Sequence, residues 1–233
     1  MLEICQRISA IPVKKTGQVP AVYLEYDEVM HIVDAIDLST SLGRRDHLLL
    51  AVLFETGARA QEIAAMRTKA FRLESPRQVR IFGKGGKERI CPLRASTATL
   101  IRKHLGERSL GPDDDAPLFI GARGQPLTRH GVLRAVQRRV HEASKTMPRL
   151  ADKRVGAHTL RHTAAVHLLR SGNALPVIRS WLGHVSVTTT DHYTQVDLEM
   201  KRRALEATEP ATSTRRTPSW KKDPDLLEWL EAL

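Results

Sequence analysis

Between Arg45 and Glu55 the chain runs through Leu48, Leu49, Leu50, Ala51, Val52, Leu53 and Phe54 without polar relief. A helix that is apolar on nearly every side is stable only when other elements cover it, so this stretch marks a buried central helix. Thr56-Gly57 ends it. With 233 residues, 41% of them hydrophobic, the chain has ample material for such a core, as one large domain or two small ones.

The rest of the chain is read by period and punctuation. Leu24 to Ile36 carries Val29, Met30, Ile32, Val33 and Ile36 at helical spacing, and Ser39 to Gly43 breaks that pattern. Arg59 sits at the bend before a second short helix, Gln61 to Arg67. From Phe71 the period changes. Gln78–Phe82 and Glu88–Leu93 read as two strands around Gly83-Lys84-Gly85-Gly86-Lys87, a hairpin with glycine where positive φ is needed and Lys84 at or near its tip. Ser96 to Glu107 is amphipathic with Ser96 as N-cap, and residues 111–117 form a surface loop. Thr128 caps a basic helix from Arg129 to about Lys145, whose Arg134, Arg138, Arg139 and Lys145 are candidates to meet a phosphate backbone, a solvated face being the alternative. Further helices are expected at His158–Ser171, Leu175–Leu182 and around Val187–Gln195, with Asp197 capping another that ends near Ala207. The expected fold is mainly α with a small antiparallel β-hairpin sheet (α+β).

Lysine and arginine total 37 against 26 acidic residues, a formal charge of +11, which favours a polyanionic partner, nucleic acid first. Cys5 and Cys91 are too few for a disulfide framework or a cysteine-rich zinc site and fit a reducing cytosol. No apolar run approaches the roughly 18 residues of a membrane span, and the N-terminus lacks a signal-peptide apolar region, so a cytoplasmic protein without membrane association is expected.

The chemistry concentrates between His158 and Tyr193. A helical His158-Thr-Leu-Arg161 puts an imidazole and a guanidinium on one face, where both can grip one anion. Leu182-Gly183-His184 follows, with His184 nine positions before Tyr193. His158 and His162 are four apart, as in zinc helices, but the glutamate of H-E-x-x-H and a clear third ligand are lacking, so no metal is assigned.

The segments Thr56-Gly57-Ala58-Arg59-Ala60-Gln61-Glu62, Gly83-Lys84-Gly85-Gly86-Lys87-Glu88-Arg89, His158-Thr-Leu-Arg161-His162 and Leu182-Gly183-His184 followed by Tyr193 resemble, in order, the catalytic boxes of the tyrosine recombinases, the phage integrase, Xer and transposon-resolving enzymes. The resemblance implies a catalytic domain over residues 22–208, preceded by a basic arm or linker remnant at 1–21 and followed by a flexible linker and C-terminal helix at 209–233. Residues 1–21 are too short for the helical core-binding domain usual in the family, which is therefore expected to be absent.

Chemistry and resemblance give the same roles. An arginine fork holds two nonbridging phosphate oxygens without losing its proton, which makes Arg59 and Arg161 the candidate clamp. Glu62, three residues after Arg59 on a helix, is expected to orient it or a neighbouring histidine. By resemblance Tyr193 is the nucleophile, His158 the acid/base, His184 a hydrogen-bond donor to the phosphate and Lys84 the acid for the leaving 5′ oxygen, with Lys87 as its alternative and a further DNA contact. A phenol titrates near pH 10, so Tyr193 needs help in losing its proton. His162 and His167 are expected to be structural. Exchange of a phosphodiester for a phosphotyrosine ester keeps the bond's energy, so no ATP, metal or cofactor is expected. The implied function is site-specific recombination of double-stranded DNA through a 3′-phosphotyrosyl intermediate. Two rivals are a DNA-binding remnant with weak or no catalysis and a type IB topoisomerase-like enzyme. The Leu226–Leu233 stripe resembles the helix that recombinases pass between protomers, implying a monomer in solution and a tetramer on paired sites; docking onto its own domain is the alternative.

Overall fold

A computed structural model describes residues 22–111 and 113–183. The expected arm at 1–21, the helices around 187–195 and 197–207, and the linker and tail at 209–233 lie outside the described residues.

The apolar run forms helix α2, Ser41–Thr56, and it is central: α1 (Tyr26–Asp34), α4 (Ala95–Gly106), α5 (Arg129–Ser144) and α6 (Ala157–Arg170) all pack on it. Leu48, Leu49, Leu50, Val52 and Leu53 are buried along its length. It begins earlier than its composition suggests. Thr40 Oγ1 accepts from the Gly43 amide at 3.0 Å, a side-chain N-cap, and Gly43 is tolerated there because a Cβ would meet the Asp37 carbonyl oxygen at 1.8 Å. Ser39 to Gly43, expected as a break, is thus partly the helix's first turn.

At its other end α2 stops at Gly57, whose φ of 58° lies in the left-handed region. A Cβ on Gly57 would also come within 2.4 Å of Leu182 Cδ2, so the position requires glycine on two independent grounds. Gly57→Ala is expected to cost about 2–4 kcal/mol, combining the left-handed penalty with overpacking. Urea unfolding checks this; a loss below about 1 kcal/mol would mean the Leu182 contact yields freely.

Helix α3, Ala60–Ala64, follows at once and is shorter than the Gln61–Arg67 expectation. The chain then enters a three-stranded antiparallel sheet, β1 (Phe71–Arg72), β2 (Gln78–Phe82) and β3 (Glu88–Pro92), in that order. The hairpin pairs Phe82 with Glu88, and alternation turns Val79, Ile81 and Cys91 inward. Strand β1 has two residues, too few to carry a period in the sequence.

Helix α4 is capped differently from expectation. Its N-cap is Arg94, not Ser96, because Glu55 reaches across from α2 to accept from the Arg94 amide and the Thr97 hydroxyl. Helix α5 matches its predicted start, with Thr128 Oγ1 accepting from the Gly131 amide at 3.1 Å. The last described helix, α7, is Leu175–Leu182 as predicted, ends at Gly183 with φ 64°, and packs on α6 and β3. Among the described residues no helix is long and apolar enough to cross a membrane.

Candidate active site

The left-handed Gly57 turns the chain out of α2 so that Arg59 becomes the N-cap of α3. From there Glu62, one turn on, accepts from the Arg59 amide at 2.8 Å through Oε2 and from Arg59 Nη1 at 3.0 Å through Oε1. One carboxylate therefore caps its own helix and orients the arginine, the role expected of Glu62. The Arg59 side chain remains 47% exposed while Glu62 is buried, so the guanidinium is held through Nη1 on a side chain that still has open surface. Burial alone would raise the Glu62 pKa. The Arg89 hydrogen bond, the Arg59 amide and the Arg59 guanidinium outweigh it and hold the carboxylate below its ordinary value.

Arg161 comes from the middle of α6 and is 1% exposed. Its Nη1 donates to the Gly57 carbonyl at 2.7 Å and its Nη2 to the Leu182 carbonyl at 2.6 Å, joining the turn that precedes Arg59 to the end of α7. Carbonyls at a helix C-terminus are electron-rich and otherwise short of donors, which is why a buried cation is stable there.

His158 lies three residues before Arg161 in the first turn of α6, and unlike Arg161 it is exposed. The protein atoms around its ring, with the charges of Arg161 and Arg59, hold the imidazole below the ordinary histidine range. Its Nε2 lies 2.9 Å from Nε2 of His162, the rings edge to face at 4.3 Å. His162 thus contacts a candidate acid/base instead of serving packing alone. His167 does pack, with its Nε2 3.0 Å from the Leu24 carbonyl and its ring against Tyr26 and Phe54.

The hairpin turn carries Lys84 at its first position, followed by Gly85 and Gly86 with φ of 74° and 71°, and closes through the Gly83 amide on the Lys87 carbonyl at 2.8 Å. Lys87 is exposed. The two glycines serve the turn as the sequence predicts.

Arg134 on α5 and Lys145 at its C-cap are exposed. Arg138 and Arg139 are not placed that way. Arg139 is buried, its Nε donating to Asp46 Oδ2 at 2.8 Å and its Nη1 to Glu142, and Arg138 Nη2 reaches the same Asp46 oxygen at 2.7 Å. Arg45 takes the other oxygen at 2.6 Å. A carboxylate with no exposed surface on α2 recruits all three guanidiniums, since a buried charge must be paired. Arg139 also falls on the apolar face with Val132, Val136 and Ala143, a signal that was present in the sequence.

Arg89 lies in the Gly83–Arg89 segment singled out in the sequence, but no role is assigned to it there. It donates from Nη2 to Glu62 Oε2 at 2.6 Å and from Nε to the Trp181 carbonyl at 2.9 Å. Strand alternation puts it on the inner face with Cys91, where a cation announces a partner. His184 and Tyr193 lie outside the described residues.

The Phage integrase family matches residues 22–200. The chain is 39% identical over 228 residues to the integrase/recombinase y4rC of Sinorhizobium fredii, covering 98% of this chain and 68% of that one. It is 35% identical over 196 residues to the tyrosine recombinase XerC of Pelobacter propionicus, covering 84% of this chain but only 61% of the XerC length. Among solved structures it resembles the XerH site-specific recombinase bound to palindromic difH substrate, a post-cleavage complex, with a TM-score of 0.70 at 29% identity over 85% of this chain and 56% of that one.

Proposed function

The chain belongs to the phage integrase family, the tyrosine recombinases, and from that premise we propose that it cleaves and rejoins double-stranded DNA through Tyr193. In this reading the Tyr193 phenol oxygen attacks the scissile phosphorus and passes its proton to His158. The bond from phosphorus to the 5′ oxygen breaks as Lys84 protonates that oxygen. A 3′-phosphotyrosyl ester replaces the phosphodiester, and attack by a 5′ hydroxyl of a partner strand reverses the exchange. Ester is traded for ester, so the energy of the bond is kept and no nucleotide is consumed. Arg59 and Arg161 carry the charge on the nonbridging oxygens, assisted by His184, while Arg134, Lys145 and Lys87 meet the DNA backbone. Outcomes on paired sites, with the tail at 219–233 exchanged between protomers of a tetramer, belong to the same reading.

The single observation that carries it is the joint tethering of the two arginines. Arg161 bonds the carbonyl of Gly57, two residues before Arg59, and Glu62 fixes Arg59 itself, so two arginines 102 positions apart in the chain are tethered to one turn. Such donors are costly to assemble and are the large part of phosphate-transfer catalysis.

The test is a nicked suicide duplex, on which the cleaved strand loses its 5′ end by diffusion and the adduct accumulates. The unsubstituted chain is expected to form a covalent protein–DNA species, and Tyr193→Phe to form none. An adduct that survives the substitution would remove Tyr193 from the reaction. DNA binding without any adduct would favour the remnant reading, and supercoil relaxation without strand exchange the topoisomerase-like one.

A further inference from the structure

Arg89 is the most heavily engaged side chain near the site that the proposed chemistry leaves without a role. Its side chain is 9% exposed, and it leaves β3 toward the core, where a long cation is costly unless every contact is made. Those contacts reach two other elements. Nη2 bonds Glu62 Oε2 on α3, and Nε bonds the Trp181 carbonyl at the end of α7. Its stem lies so close to the chain that a Cβ on Gly183 would stand 3.0 Å from Arg89 Cδ and 3.3 Å from Nη1. Gly83, at the root of the Lys84 turn, approaches the same pair, with a Cβ there 3.4 Å from Glu62 Oε1 and 3.9 Å from Arg89 Nη1.

Two consequences follow from this wiring. Successive carbonyls at the end of α7, Trp181 and Leu182, each accept from one arginine, Arg89 and Arg161. The Glu62 carboxylate is likewise shared, one oxygen on the Arg59 guanidinium and the other on Arg89. Beside the direct bond of Arg161 to the Gly57 carbonyl, Arg89 is therefore a second link between Arg59 and Arg161, through the Glu62 side chain and the end of α7. It also competes with Arg59 for the Glu62 carboxylate, leaving the Arg59 guanidinium less neutralised and better able to meet a phosphate.

We infer that Arg89 is a positioning residue for strand cleavage, which braces Glu62 against the end of α7 and so fixes the two-arginine clamp before DNA arrives. The inference rests on the reading that Arg59 and Arg161 hold the scissile phosphate. Arg89 itself touches no substrate in it. Without the brace, Glu62 draws fully onto Arg59, and the clamp loses both charge and spacing.

Arg89→Lys tests this, because a lysine keeps the charge but cannot span a carboxylate and a carbonyl with one planar fork. Adduct formation is followed at saturating DNA on two suicide duplexes, one with the natural phosphodiester and one with a neutral methylphosphonate at the scissile position, alongside the DNA Kd and the thermal midpoint. The expected result is cleavage of the phosphodiester slowed by roughly 10–100-fold with Kd changed less than about threefold. On the methylphosphonate, which asks less of a cationic clamp, the defect is expected to shrink below about threefold. Unchanged phosphodiester cleavage overturns the inference, as does an equal loss on both duplexes, which is what a merely structural arginine would give. If Arg89→Lys does not fold, Arg89→Gln, which leaves Glu62 and Arg59 untouched and likewise lacks the two-point fork, must show the same phosphodiester-selective loss; failure to show it overturns the inference. No adduct from the unsubstituted chain overturns the functional reading and the inference together, whereas an adduct there with an indifferent Arg89→Lys overturns the inference alone.

Discussion

Replacing Arg161 by lysine is expected to slow adduct formation on the suicide duplex by roughly 10²–10³-fold, the scale of losing one preorganised donor to a charged transition state. The positive charge is nominally kept, so the loss would come from geometry. A guanidinium spans the Gly57 and Leu182 carbonyls with two divergent N–H groups and stays in plane. An ammonium is a point with three rotatable donors and cannot hold both while facing a phosphate. Burial adds a second penalty, since a lysine in this almost fully buried position is driven toward its neutral form, which a guanidinium resists. Single-turnover cleavage at saturating DNA separates this from weakened binding. A variant within about threefold of the parent would remove Arg161 from the clamp.

Asp46→Asn is expected to be the most damaging substitution for stability outside the site, costing about 3–5 kcal/mol. Asp46 has no exposed surface and answers Arg45, Arg138 and Arg139. Removing its charge leaves the largely buried Arg45 and Arg139 with no anion of their own except Glu142, on Arg139, while Arg138 keeps access to water. Urea unfolding is expected to show a lower midpoint at unchanged slope, and a cost below about 1 kcal/mol would mean that the arginines swing out to water. Protonation should do reversibly what the mutation does permanently. Burial pushes the Asp46 pKa up, but the Arg138 and Arg45 hydrogen bonds and charges outweigh it and set the folded value below the unfolded one. The contribution is then fully present above the unfolded pKa of about 3.9 and is lost as pH falls through the folded value. Asp46→Asn should accordingly flatten the acid limb of the stability profile.

The same arginines show where sequence reasoning stops. Arg134, Arg138, Arg139 and Lys145 are alike in composition, and a basic helix invites a phosphate backbone as the partner of all four. Only Arg134 and Lys145 are exposed; Asp46, more than 80 positions earlier, claims the middle pair. Charge along a helix is local information, but the identity of its counterion is not. Histidine roles divided for the same reason. His162 and His167 look equivalent along α6, yet one meets His158 and the other the Leu24 carbonyl on the far side of the helix.

What the sequence determined by itself were features whose cause lies within a few residues. The apolar run of α2 demanded burial, Thr56-Gly57 ended it, the glycines of the hairpin turn supplied positive φ, Thr128 supplied its own cap, and the order of the boxes disclosed the family. Tertiary structure decided which groups share a charge. It buried Arg161 against two backbone carbonyls and set Arg89 between Glu62 and the end of α7, and it capped α4 with a carboxylate from α2. The two arginine choices are made by buried polar groups that must find partners once water is gone, and in all three the partner in space stands tens of residues away in the chain.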